Sequence, residues 1–233
     1  MSIAKFFVFP AVFAVLLACG EVKGDSDYKP GSSSSQSCTE ENCLSSNSDA
    51  NSSSSFDIGL DWVPAPKNSY VHGATSIKLD AFDISKNLIT QSQYMAVMGG
   101  PNPSKGEQKD TLPIEGVNWF KAVEFCKKLS ILMNLDPDAV KLPTEAEWEY
   151  VAFAHVIQRN ADYWEWTNDC WDEHSPYDTN NPSGPPNCLP NWEKVRKGVT
   201  NNIEDRYATN PSSEDISMGF ISFRVVLKKK FLD

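Results

Sequence analysis

The sequence predicts an α+β fold: a single compact domain in which short helices lie between strands and long ordered loops join them. Three features carry this expectation. Ile77, Leu79 and Ala81 alternate with Ser76, Lys78 and Asp80, the period of a half-buried strand. Thr90, Asn118 and Thr144 each precede apolar residues at helical spacing, as helix N-caps do. Beyond Phe153 the chain turns aromatic, acidic and rich in turn formers.

In chain order, Lys5 is followed by an apolar run from Phe6 to Ala18, broken only by Pro10. At 13 residues it is too short to span a bilayer as a mature helix. A basic residue, a short apolar core and small residues at its end make residues 1–18 a secretory signal. Leu16-Leu17-Ala18-Cys19-Gly20 resembles a bacterial lipobox. That resemblance implies cleavage before Cys19, lipid attachment to its sulfur and anchorage in the bacterial envelope, at the outer membrane or the periplasmic face. Residues 19–57 read as a flexible tether: twelve Ser fall between residues 32 and 55, too polar a stretch to offset chain entropy by burial. Cys38 and Cys43 interrupt it, and in an oxidising compartment a small disulfide loop is expected there. The net charge of −10 lacks the basic footprint of a nucleic-acid binder.

The folded domain is expected over residues 58–233. Trp62-Val63-Pro64 and Tyr70-Val71 read as short strands around a turn at Lys67-Asn68, and the alternating strand at Ser76–Ala81 follows. Thr90 caps a helix containing Tyr94, Met95 and Met98 and ended by Gly99-Gly100. Asn102-Pro103-Ser104 is a turn. Asn118 caps the strongest helix, where Trp119, Ala122, Val123, Cys126, Leu129 and Met133 recur on one side. Cys126 reads there as a small buried hydrophobe. In Leu142–Tyr150, Thr144 and Glu147 form a capping box, and Glu145 and Glu147 suit the positive end of the helix dipole. Trp148, Val151 and Ala152 share one face of that helix. Tyr163-Trp164-Glu165-Trp166 then leads to Asp169-Cys170-Trp171, and a loop through Tyr177, Pro182 and Gly184 reaches Cys188. A Cys170–Cys188 disulfide would close a loop of about 19 residues, worth about 3 kcal/mol in the chain-entropy model, with Cys126 as the competing partner. Val195–Gly198 reads as a strand entering a turn, and a final strand runs from Phe220 to about Leu227.

Several strings agree with one family. Leu79 to Ile84 and Ile89 to Tyr94 look like its opening strand and first helix. Asn102-Pro103-Ser104, Leu112 to Trp119, Ala122 to Cys126, Leu142 to Tyr150, Trp164 to Thr167, and Gly219-Phe220 with Phe223-Arg224-Val225 follow in order. Over roughly residues 60–228 the chain resembles the sulfatase-modifying-factor family, whose enzymatic members are formylglycine-generating enzymes. The resemblance implies a variant of the C-type-lectin fold with little regular secondary structure. It also implies where chemistry would sit. The family's enzymes oxidise a substrate cysteine with O2, using copper held by two cysteines, and soft thiolates suit Cu(I). Those cysteines are expected at about Ile203 and at Tyr207 or Ala208, and no Cys follows Cys188. Copper is therefore not expected, and no catalytic residue is assigned. The family has several tens of residues where this chain has only nine, His155 to Tyr163. One family calcium site falls in that gap; the other is matched by Asp162 and Glu165, which leaves calcium open there.

His72, His155 and His174 show no metal-ligand spacing; His174 lies in an acidic loop with Asp169, Asp172, Glu173 and Asp178, expected to be solvated. Trp164, Trp166, Trp171, Tyr177 and Trp192 could form an aromatic surface for a protein or carbohydrate ligand, or pack as core. The expectation is a non-catalytic, envelope-anchored binding or structural module. The rivals are an enzyme of altered chemistry acting on protein cysteine, through Cys126 or the acidic-aromatic loop, and a partner or chaperone subunit for another envelope protein.

Overall fold

A computed structural model of the chain describes residues 56–172, 179–185, 187–198, 200, 202, 205–212 and 220–229. The signal, Cys19, Cys38, Cys43, Glu173, His174, Tyr177, Asp178 and Ile203 lie outside the described residues. All described residues belong to a unit spanning Ser53–Asp233.

The elements are β1 (Trp62–Ala65), β2 (Asn68–His72), β3 (Thr75–Leu79), β4 (Phe82–Ser85), α1 (Gln91–Met98), α2 (Trp119–Leu132), β5 (Val140–Lys141), α3 (Glu145–Phe153), β6 (Tyr163–Cys170), β7 (Lys194–Gly198), β8 (Tyr207–Thr209), β9 (Phe220–Ser222) and β10 (Val226–Lys228). They form an antiparallel sheet β1-β4-β10-β5, a hairpin β2-β3, and a sheet β8-β7-β6-β9 in which β9 runs parallel to β6. No helix among the described residues is long and apolar enough to cross a membrane.

All three helix starts form as their sequences predict. Thr90 and Thr144 make complete capping boxes with Gln93 and Glu147, and Asn118 accepts from Lys121 N. The α1–α2 core stacks Tyr94 on Phe125 at 5.7 Å, with Phe223 edge-on to both rings. Cys126 is buried and free in this core, so it is not the partner of Cys170. The Cys170–Cys188 disulfide is formed, with Cα atoms 5.7 Å apart.

The strand expectations need correction. β1 and β2 do not pair around Lys67-Asn68: β1 pairs with β4, β2 pairs with β3, and Asn68 lies inside β2. Pro64 is tolerated because β1 is an edge strand, where one N–H is dispensable. The alternating strand ends at Leu79, and after Asp80-Ala81 the chain enters β4. The single final strand is two: β9 pairs with β6, β10 pairs with β4 and β5, and residues 223–225 cross between the sheets. Arg224 anchors that crossing through Glu165 and the carbonyls of Ser85, Lys86 and Gln158. The aromatic stretch Tyr163–Cys170, read as leading into a loop, is the eight-residue strand β6.

The largest departure is α3. Every residue from Glu145 to Ala152 is buried, not one face alone. Trp148, Val151 and Ala152 pack with Ile77, Leu79, Phe82 and Ile84 from the first sheet side, while β6 and β7 lie against the helix from the other. Three glutamates therefore lose their water, and the rest of the fold must supply cations.

Candidate functional site

Strand β7, Lys-Val-Arg-Lys-Gly, is buried along its whole length although three of its five residues are cationic. The period of two puts Val195 and Lys197 on one face and Lys194 and Arg196 on the other. Register carries each face onto the neighbours: Lys197 lies opposite Glu165, whereas Arg196 lies between Trp166 and Tyr207.

The first face meets α3, and each of its charges is matched. Lys197 Nζ is 2.7 Å from Glu149 Oε1 and 3.4 Å from Glu145 Oε1. Glu149 also takes hydrogen bonds from Tyr70 OH at 3.2 Å and pairs with His72 Nδ1 at 2.8 Å. Burial pushes the Glu149 carboxyl up, but the His72 hydrogen bond and the Lys197 cation outweigh it and hold the group below its ordinary value. Glu145 is also 3.1 Å from Arg206 Nε. Glu165 accepts from Arg224 Nε at 2.5 Å and Nη2 at 2.8 Å, and from Trp148 Nε1 at 2.8 Å. Glu147 pairs with Lys228. Asp169 is the exception on this side. It accepts from Glu145 N at 2.8 Å, at the start of α3, yet burial and the Glu145 charge push its carboxyl up to about 7.

The second face is different in kind. Lys194 is 1% exposed, and its Nζ sits 3.1 Å from Cys170 Sγ, 3.2 Å from Cys188 Sγ and 4.1 Å from the centre of the Trp119 ring. Among the described residues its oxygen partner is the Leu189 carbonyl at 3.5 Å. Arg196 is 5% exposed, with its guanidinium carbon 4.5 Å from the Trp164 ring centre and 5.9 Å from that of Tyr207. Its Nε and Nη1 have no hydrogen-bond partner among the described residues. Neither cation pairs with a carboxylate among the described residues. Burial lowers the pKa of both, opposed by the Asp169 charge at Lys194 and by Tyr207 at Arg196. Trp164 and Tyr207 meet edge-on at 4.5 Å, and Tyr207 is 40% exposed. Trp119 and Trp166 are pinned beneath by Nε1 bonds to the carbonyls of Thr167 and Val117.

The residues singled out from sequence are thus dispersed. Trp164 and Trp166 are core, Trp171 is half-buried with Arg206 4.7 Å from its ring centre, and Trp192 is exposed; they do not form one open platform. β6 is covered on both faces: Trp164 and Trp166, two apart, fill one, and Glu165, Thr167 and Asp169 are buried on the other. Asp169 is buried rather than part of a solvated loop. Asp162 and Glu165 do not form an oxygen cluster for calcium: Asp162 is exposed, and both Glu165 oxygens are taken by Arg224. No group of three His, Cys, Asp or Glu is placed to hold a metal ion among the described residues. At the expected copper positions, Tyr207 stacks on Trp164 and Ala208 pairs with Val195 in β8. Burial raises the Cys126 thiol far above its ordinary range, which suits packing and not nucleophilic chemistry. The reading from sequence missed Trp119, Lys194, Arg196 and Tyr207 as one group. The signal was the KVRKG alternation itself, two cations on one strand face beside a tryptophan-rich strand.

Comparison with known proteins gives the same architecture. Residues 54–163 match the model of the sulfatase-modifying factor enzyme 1-like domain. A chaperone protein, LppX, of Paenibacillus barcinonensis is 32% identical over 143 residues, a match to 44% of this chain and 49% of that protein. The chain thus spans about half the length of this relative. Among solved structures, Treponema denticola variable protein 1 superposes with a TM-score of 0.55 at 18% identity, over 74% of this chain and 97% of that one. PvdO from Pseudomonas aeruginosa gives 0.55 at 15%, over 72% and 94%. CarF gives 0.51 at 15%, over 72% and 98%. The family match ends at Tyr163, so β7 and its three cations lie beyond it.

Proposed function

From the premise that this chain carries a sulfatase-modifying factor enzyme 1-like domain, we propose that it is an envelope-anchored, non-catalytic binding module that takes a carboxylate-bearing ligand on the outer face of β7. One observation carries the reading: Arg196 is buried between Trp164 and Tyr207 with two donors unpartnered and no carboxylate at salt-bridge distance among the described residues. Fixing an unpaired cation in a dry site is unfavourable for folding alone. It is favourable where a ligand completes the site, because a carboxylate and a guanidinium make strong charge-assisted hydrogen bonds. An exposed Tyr over a buried Arg adds a flat, apolar contact for the ligand body. The Cys19 anchor, the absence of any Cys after Cys188 and the pairing of Glu165 with Arg224 all fit a scaffold used for recognition and not for copper chemistry.

The test is binding of the purified full chain to matched panels of acidic and neutral peptides and oligosaccharides, with Arg196→Met alongside. Retention of carboxylate-bearing probes by the native chain, weakened at least tenfold in the variant, supports the reading. Equal retention by both, or no retention by the native chain, rejects it. Conversion of a cysteine peptide to an aldehyde, or stoichiometric copper, would overturn its non-catalytic part. A second reading, a chaperone or partner subunit, is favoured by the likeness to the Paenibacillus chaperone protein. It gains if the retained probes are unfolded polypeptides regardless of charge.

A further inference from the structure

Lys194 is the second cation of the same face without a carboxylate at salt-bridge distance among the described residues, and its surroundings differ from those of Arg196. Its ammonium rests against a disulfide. Disulfide sulfurs are neutral, weak acceptors, so contacts at 3.1 and 3.2 Å replace little of the lost hydration. The Leu189 carbonyl at 3.5 Å is too distant to make up the difference. The arrangement is well satisfied in only one chemical state. If the bridge opens, a thiolate at the Cys170 position becomes a full counter-ion already at hydrogen-bond distance from Nζ. The oxidised form therefore carries an electrostatic deficit that the reduced form does not.

The two sulfurs are not equivalent. Cys170 is fully buried at the end of β6, while Cys188 is half-buried in the loop entering β7, so an incoming thiolate reaches Cys188 first. The residue that stays behind the ammonium is Cys170, which is the better leaving group for that reason.

We propose that Cys170–Cys188 is an exchange-active disulfide that oxidises a dithiol of a partner polypeptide, with Lys194 holding the released thiolate. The thiolate of the partner attacks Cys188 Sγ, a mixed disulfide forms, and the Cys188–Cys170 bond breaks to leave Cys170 as a thiolate against Lys194 Nζ. The second thiol of the partner then loses its proton and attacks the partner's own sulfur in the mixed disulfide, releasing Cys188. The partner dithiol loses two electrons and two protons and becomes a disulfide. Cys188 takes one proton, the other goes to solvent, and Cys170 stays ionised. This chemistry uses neither copper nor O2 and does not depend on a ligand at Arg196. Lys194 faces the pair, and the Asp169 charge in turn acts on the Lys194 ammonium.

The experiment equilibrates the full chain with graded dithiothreitol or glutathione buffers. Acid quenching, alkylation and mass spectrometry then read the redox state of the peptides holding Cys170 and Cys188. The native bridge is expected to be half-reduced at a reductant ratio about tenfold lower than in Lys194→Met or Lys194→Gln. In the reduced native chain, ultraviolet thiolate absorbance that disappears in Cys170→Ser should persist well below the ordinary thiol value of about 8.5. Equal reduction midpoints in native and folded Lys194 variants would overturn the proposal. Should neither variant fold, the native titration decides, and a Cys170 thiolate that forms only near the ordinary value overturns it equally. Loss of carboxylate binding in Arg196→Met with an unchanged redox midpoint separates this inference from the binding reading.

Discussion

The two faces of β7 are built from the same residue types and reach opposite solutions. Toward α3, Lys197 is buried with two glutamates, and Arg224 across the strand pair is buried with a third. Away from α3, Lys194 and Arg196 are buried just as deeply against tryptophan, tyrosine and sulfur, without a carboxylate. Burying a charge is tolerable when an opposite charge and hydrogen bonds come with it, and costly otherwise. The paired face is thus explained by folding, since α3 brings its glutamates into the interior and cations must meet them. Among the described residues the other face has no such explanation, which is the basis for proposing a ligand there.

The comparison breaks most sharply on two matched arginine substitutions. Arg224→Met leaves Glu165 buried without its counter-ion and should cost about 3–5 kcal/mol in urea denaturation. Arg196→Met strands no anion and should change stability by less than about 1 kcal/mol, in either direction. Equal losses in the two variants would end the distinction between the faces.

A smaller effect comes from Asp169, the one acid on the paired side without a cation at salt-bridge distance in the pairs described. Its folded carboxyl, pushed up to about 7, binds its proton more tightly than the unfolded group near 3.8. The folded state therefore holds more protons than the unfolded state between those values, and stability falls as pH rises through that window. Glu149 runs the other way: its depressed value stabilises above the unfolded value of 4.5, and that contribution is lost only as pH falls below it. Between about pH 5 and 7, denaturation midpoints should decline by an amount on the order of a few kcal/mol, and Asp169→Asn should flatten the slope. A native profile that rises across this range would contradict the buried placement of Asp169.

The smallest effect sharpens the role of α3 as carrier of the paired charges. Thr144→Ala removes the cap that holds Glu147 N and should cost about 1 kcal/mol. Because Glu147 reaches back to Thr144 N and pairs with Lys228, the loss should couple with Glu147→Gln in a double-mutant cycle. Simple additivity would mean the cap and the ion pair act independently.

Much of the scaffold was legible in the chain because its signals are local. The caps at Thr90, Asn118 and Thr144, the helical spacing of α2 and the alternation of β3 each depend on neighbours within a few residues. The pairing of Cys170 with Cys188 was open to a rival, and it took the burial of Cys126 in the α1–α2 core to exclude that rival. Strand partners were not legible: the β1–β4 pairing and the division of the last strand into β9 and β10 depend on residues far apart in sequence. The site was hidden for the same reason. Tryptophans left open between a surface and a core role were decided only once β6 was covered on both faces, and the stretch read as a strand entering a turn showed its buried cations only when β6 and β8 enclosed it.

By itself, the sequence determined the likeness to the sulfatase-modifying factor enzyme 1-like domain over residues 54–163, the α+β class, the helix starts and the lack of a thiolate pair after Cys188, since these follow from residue identity and short-range spacing. Only the tertiary structure decided which charges are neutralised. Glu165, Lys197 and Arg224 become a paired interior, and Lys194 and Arg196 an unpaired one, through strand register and the docking of α3. Electrostatic energy depends on distance and on exclusion of water, and neither is fixed until distant segments of the chain meet.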